Sequence, residues 1–147
     1  MKIYFDVCCL CRPYDDLSQA RVHLESEAVL AIMKLCKSAD WSFATSEVTD
    51  TELLQMHDGK KLANVVTLCG QASDFLMVTE ESRSLAKEFR KKGIKFFDSE
   101  HLAVAVVNRY DVFLTTDDGL LKAAQKLPLN ILVTNPAEWI LRGLGNE

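Results

Sequence analysis

Residues 94 to 119 constrain the fold more than any other stretch. Leu102 to Val107 is apolar on every face, which predicts a helix buried on more than one side. Val112-Phe-Leu-Thr115 follows, short, apolar and β-rich, as the central strand of a parallel sheet is. It runs into a polar turn, Thr115-Thr116-Asp117-Asp118-Gly119. Carboxylates therefore border the most buried elements. Capping is one explanation. Asp98 reads as the N-cap of its helix, with Phe97 and Leu102 as the hydrophobic staple, and Asp117 or Asp118 as the cap of a helix beginning near Leu120. The other explanation is a functional site, which needs partner carboxylates from elsewhere in the chain.

The remaining pattern supplies them. Strands are predicted over Ile3–Asp6, Trp41–Thr45, Phe75–Val78 and Asn130–Val133, besides the one at Val112–Thr115. Helices are predicted over Ser18–Lys37, from Ser46 through Glu52, over Leu62–Gly70, Glu80–Lys92 and Leu120–Lys126, and from Pro136 onward. In the long helix Ala28, Leu30, Ala31, Met33 and Leu35 are assigned to the apolar side, and Arg21, Glu25 and Lys34 to solvent. Gly93 suits the C′ position of the helix before it. Alternation of strand and helix predicts one α/β domain over residues 1–147. Its architecture is a three-layer α/β/α sandwich around a central, mostly parallel five-stranded sheet. Ligands of such sheets bind at the carboxyl ends of the strands, where the strand order switches. Asp6 ends the first strand, Glu52 lies two helical turns past the second, Asp98 heads a helix and Asp117 follows the fourth strand. All four are expected at one sheet edge.

Composition narrows the function. No stretch of eighteen uncharged apolar residues exists to cross a membrane, and Met1-Lys-Ile-Tyr-Phe-Asp is not a signal peptide, so a cytoplasmic protein is expected. The five cysteines are odd in number and lack zinc spacing with His23, His57 or His101, which favours buried free thiols over disulfides or zinc. A net charge of −4 argues against a protein that coats nucleic acid, though not against a local basic strip. Lys87, Arg90, Lys91, Lys92, Lys95, Arg12, Lys60 and Lys61 are candidates for such a strip, but a solvated helix face is the better reading of the run around residue 90. Four carboxylates in one cleft repel one another and require protons or cations. A donor set of oxygen alone selects Mg2+ or Mn2+. Such an ion activates water and stabilises a displaced oxygen at a phosphodiester.

Four short motifs in order, Ile3-Tyr-Phe-Asp6, Ser46…Glu52-Leu, Asp98-Ser-Glu-His-Leu-Ala-Val-Ala and Leu114-Thr-Thr-Asp117, resemble the PIN domain over nearly the whole chain. The resemblance implies a Mg2+- or Mn2+-dependent endoribonuclease acting on single-stranded or structured RNA, with Asp6, Glu52, Asp98 and Asp117 as catalytic residues and metal ligands. It also implies a toxin of a toxin–antitoxin pair, partnered by an antitoxin protein or by a second copy of the chain through helix 18–37. Thr116 matches the small polar position beside the last acid. Asp118 departs from the pattern, which leaves Asp117 and Asp118 as rivals, with the alignment favouring Asp117. Glu47 and Asp50 rival Glu52, whose following Leu53-Leu54 favours it. A catalytically idle PIN-like module that binds RNA or protein is the alternative. A phospho-acceptor domain fits poorly, because strand one offers a single acid and strand five ends without lysine.

Overall fold

The computed structural model describes residues 1–38 and 40–145. Five parallel strands, β1 (Lys2–Phe5), β2 (Ser42–Ser46), β3 (Asp74–Leu76), β4 (Val112–Leu114) and β5 (Leu132–Thr134), form one sheet in the order β3-β2-β1-β4-β5. The chain moves outward from β1 to β3 and then returns to the other side of β1. The order therefore reverses between β1 and β4, whose register pairs Ile3 with Val112 and Phe5 with Leu114.

The helices are α1 (Val7–Cys11), α2 (Ala20–Leu35), α3 (Glu47–Leu53), α4 (Gly59–Cys69), α5 (Glu80–Lys91), α6 (Phe96–Val107), α7 (Asp118–Gln125) and α8 (Pro136–Gly145). Side chains alternate along a strand, so β1 serves two cores. Ile3 and Phe5 join α1, α2, α4 and Trp139 on one face, while Tyr4 joins α5, α6 and Phe113 on the other. Helix α3 lies across the end of the sheet, giving Leu53 to the first core and Val48 to the second. The three-layer sandwich is as expected, and every strand pair is parallel. The run Leu102–Ala105 is fully buried. No helix of the described residues is long and apolar enough to cross a membrane.

Three local expectations are corrected. Asp98 is not an N-cap: Gly93, at φ 93°, turns the chain, and α6 opens earlier, with Lys95 at the cap and Asp98 inside the first turn. Phe97 is then already helical, so no staple forms across the cap. Glu25 is not solvated. The buried stripe of α2 runs Val22, Glu25, Ser26, Val29, Ile32, Met33, and Glu25 sits on it at 2% exposure, while Leu30 faces solvent. Its Oε1 accepts from Arg12 Nε at 2.9 Å, and its Oε2 from Arg21 Nε at 3.1 Å and Asn135 Nδ2 at 2.6 Å.

Replacing Glu25 by Leu leaves the Arg12 and Asn135 donors unpaired and should cost about 3 kcal/mol. Arg21→Ala, which removes a half-exposed partner, should cost less than about 1 kcal/mol. Denaturant midpoints of the two variants would check the ranking.

Candidate metal centre at the switch point

Asp6 follows the central strand and caps α1, its Oδ1 accepting from Val7 N at 2.8 Å. Its Oδ2 accepts from Thr115 Oγ1 at 2.9 Å and from the Cys8 thiol at 3.4 Å. The residue is only 3% exposed. Burial pushes its carboxyl above the usual range, with Glu52 adding to the rise, while His101, Thr115 and Cys8 oppose it. Thr115 also ties in the second acid, since its Oγ1 accepts from Asp117 N at 3.1 Å.

Helix α3 carries Glu52 into the same space. Ser46 caps α3 and forms a capping box with Thr49, which fixes where the helix starts and so where Glu52 falls. Glu52 Oε1 lies 2.8 Å from His101 Nε2, and that nitrogen is 3.9 Å from Asp6 Oδ1. One donor atom from each of Asp6, Glu52 and His101 falls within 4.8 Å of the others, the spacing of a metal site. Glu47 is directed elsewhere, its Oε1 accepting from Val78 N at 2.7 Å, and Asp50 is exposed.

Asp98 stands one turn before His101 on α6. With Asp117 it lines a cleft completed by Gly93, Ile94, Lys95, Gly119, Leu120 and Ala123. Burial first, then the charges of Asp6, Asp117 and Glu52, push the Asp98 carboxyl up to about 7, with His101 opposing. Asp98 thus registers the other three acids. Asp117 caps α7, accepting from Leu120 N at 3.1 Å. A side chain at Gly119 would come within 3.2 Å of Asp117 Oδ1, so glycine gives that carboxylate its room. Asp118 turns outward to a two-pronged pair with Arg21, both contacts at 2.9 Å. That pairing holds its carboxyl low.

The structure therefore brings Asp6, Glu52, Asp98 and Asp117 to one sheet edge, with Asp117 rather than Asp118 in the cleft. It adds His101, Tyr4 and Thr115, which the sequence reading did not assign. His101 was legible as an i+3 neighbour of Asp98 on one helix face; its contacts with Tyr4 and Glu52 were not. Of the basic candidates, Lys95 lines the cleft. Arg12, Lys61, Arg90 and Lys91 are engaged with Glu25, Asp15, Glu100 and Glu88. All five thiols are free. Burial pushes Cys11 up to about 12 and Cys9 well up.

No protein-family model and no curated protein matches the sequence. Solved structures share the fold. FitAcB from Neisseria gonorrhoeae aligns over 91% of this chain and 97% of its own, at 20% identity and a TM-score of 0.57. VapBC2 from Rickettsia felis, bound to a DNA fragment from their promoter, aligns over 92% and 98%, at 12% identity and a TM-score of 0.60. VapBC-1 from nontypeable Haemophilus influenzae gives 92% and 98%, 13% identity and 0.59. At these identities the likeness is one of fold.

The pH dependence has a definite sign. Asp98 binds its proton more tightly folded than unfolded, so without metal the stability falls as pH rises from about 4 to about 7. The loss is complete above that window. Asp98→Asn should raise the unfolding temperature of the metal-free protein at pH 8 and leave it nearly unchanged at pH 4. Added Mn2+ should stabilise the wild-type protein more at pH 8 than at pH 5, in thermal scans.

Proposed function

We propose that the chain is a metal-dependent endoribonuclease of the PIN-domain type, hydrolysing phosphodiester bonds of RNA, and that it is the toxin of a toxin–antitoxin pair. One observation carries the reading: acids from four separate elements gather at the switch point, where burial first and then the charges of the other three push Asp98 up to about 7. A set of groups that resists joint ionisation is suited to a divalent cation.

Asp6, Glu52, Asp98 and Asp117 would hold Mg2+ or Mn2+, whose charge offsets theirs and which activates water and stabilises a leaving oxygen when bound. Asp6 is the buried member, its side chain 5% exposed, while Glu52, at 29%, is the one more open to solvent. Glu52 orients the attacking water. Thr115 holds the Asp6 carboxylate and the Asp117 backbone in one register. Lys95, at the cleft wall, meets a backbone phosphate.

The toxin reading rests on the sequence resemblance and on neighbours that carry FitAcB and VapBC names. An antitoxin, or a second copy of the chain, would cover α2, where Leu24 and Leu30 are 63% and 42% exposed. Leu141, on the α8 helix that packs against α2, is 73% exposed.

A labelled single-stranded RNA should be cut in the presence of Mn2+ or Mg2+ and left intact with chelator. Asp6→Asn and Asp98→Asn should abolish cutting with the fold retained. Metal binding without cutting would direct the search to a structured RNA. Absence of both would leave the idle binding module.

A further inference from the structure

Counting hydrogens around His101 fixes what its ring can do. Ser46 Oγ accepts two backbone N–H groups at the start of α3, from Val48 at 3.1 Å and from Thr49 at 3.2 Å. Both lone pairs are then occupied, and the hydroxyl hydrogen is left to donate. Its nearest acceptor is Tyr4 Oη at 2.7 Å, against 3.4 Å for Thr49 Oγ1. A tyrosine that accepts there directs its own hydrogen onward, and His101 Nδ1 stands 2.6 Å away. An imidazole accepting at Nδ1 carries its hydrogen on Nε2. That N–H meets Glu52 Oε1 at 2.8 Å, with Asp6 Oδ1 more distant at 3.9 Å. The reverse direction would turn the Tyr4 hydrogen either to Ser46 Oγ, a third acceptance there, or to Thr49 Oγ1, which at 3.5 Å is the longest contact Tyr4 Oη makes. Tyr4, Ser46 and His101 are all 0% exposed, so the four-residue chain is sealed from solvent except at Glu52.

We propose that His101 is a positioning residue that donates Nε2–H to Glu52 and does not bind the cation, its tautomer being set by the Ser46 cap through Tyr4. The inference rests on the metal-dependent reading above and deepens it. The mixed nitrogen and oxygen group suggested by spacing alone is an oxygen site with a built-in holder. Outer partners of this kind orient a ligand and raise metal affinity. Ser46 thereby places Glu52 twice, by starting the helix that bears it and by directing the hydrogen-bond chain that restrains its carboxylate.

The tautomer is read directly by two-bond proton–nitrogen NMR of His101 in the metal-free protein. Nδ1 without hydrogen and Nε2 with it are expected; the opposite tautomer, or a ring protonated on both nitrogens, overturns the proposal. Metal affinity gives the second readout, by titration with Mn2+ and with Mg2+. His101→Leu should weaken both about 10- to 100-fold. His101→Gln, whose amide can still donate to Glu52, should recover most of that loss and keep the Mn2+/Mg2+ affinity ratio of the wild-type protein. A ratio reduced about tenfold in His101→Gln would make the imidazole a ligand and defeat the proposal. Tyr4→Phe, checked for folding by thermal unfolding, should mix the two tautomers and weaken Mn2+ binding in the same direction; an unchanged single tautomer would break the link to Ser46. If the wild-type protein binds neither cation, the nuclease reading fails, while the NMR result still decides the tautomer.

Discussion

A carboxylate buried at the end of the central strand governs the rest of the architecture. Asp6 is 3% exposed and flanked by β4. An isolated charge there would be prohibitive. The chain answers with donors drawn from three places: the first backbone N–H of α1, the Thr115 hydroxyl after β4 and the Cys8 thiol. Each donor requires its element to sit where it does. The close approach of Thr115 depends on β1 and β4 being neighbours, which in turn depends on the chain returning across β1 after β3. Around this anchored acid the other three collect, and burial together with their charges, only partly offset by His101, pushes the Asp98 carboxyl up.

Much of this was legible from residue order. The apolar run at Leu102–Val107 and the β-rich run at Val112–Thr115 foretold the buried helix and its following strand. The acids that follow strands one and four fall where parallel sheets expose their carboxyl ends. For Asp117 a cap and a place in the cleft are compatible: one oxygen caps α7 while the side chain lines the cleft.

What was missed has a common physical origin. Its charge assigns Glu25 to solvent, although helical spacing puts it on the stripe of Val22, Val29 and Ile32. The donors that make the charge tolerable come from residues up to 110 positions away, beyond the reach of local periodicity. His101 was judged only as a zinc ligand by linear spacing. Its partners, Tyr4 and Glu52, are 97 and 49 residues distant. Long-range polar pairing leaves no local trace in sequence, whereas strand and helix periodicity does. The adjacent acids Asp117 and Asp118 make the same point, since the outward one is held by Arg21, 97 residues away, while the inward one caps α7.

The sheet order also sets a timetable. β1 leaves the ribosome before the other strands of the sheet, yet its β4 partner is paired across 109 residues, Ile3 with Val112. At ordinary rates of synthesis that interval is roughly 5 to 20 seconds. Between residues 52 and 98 of that interval the chain carries Asp6 and Glu52 without Asp98, and throughout it lacks Asp117 and the Thr115 hydroxyl that steadies Asp6. The cleft is thus assembled from acids far apart in the order of synthesis and closes only after β4 is made. A nascent or prematurely released chain has half an acid cluster and no switch point. In that ordering there is a delay between the synthesis of the first acid and the completion of the cluster.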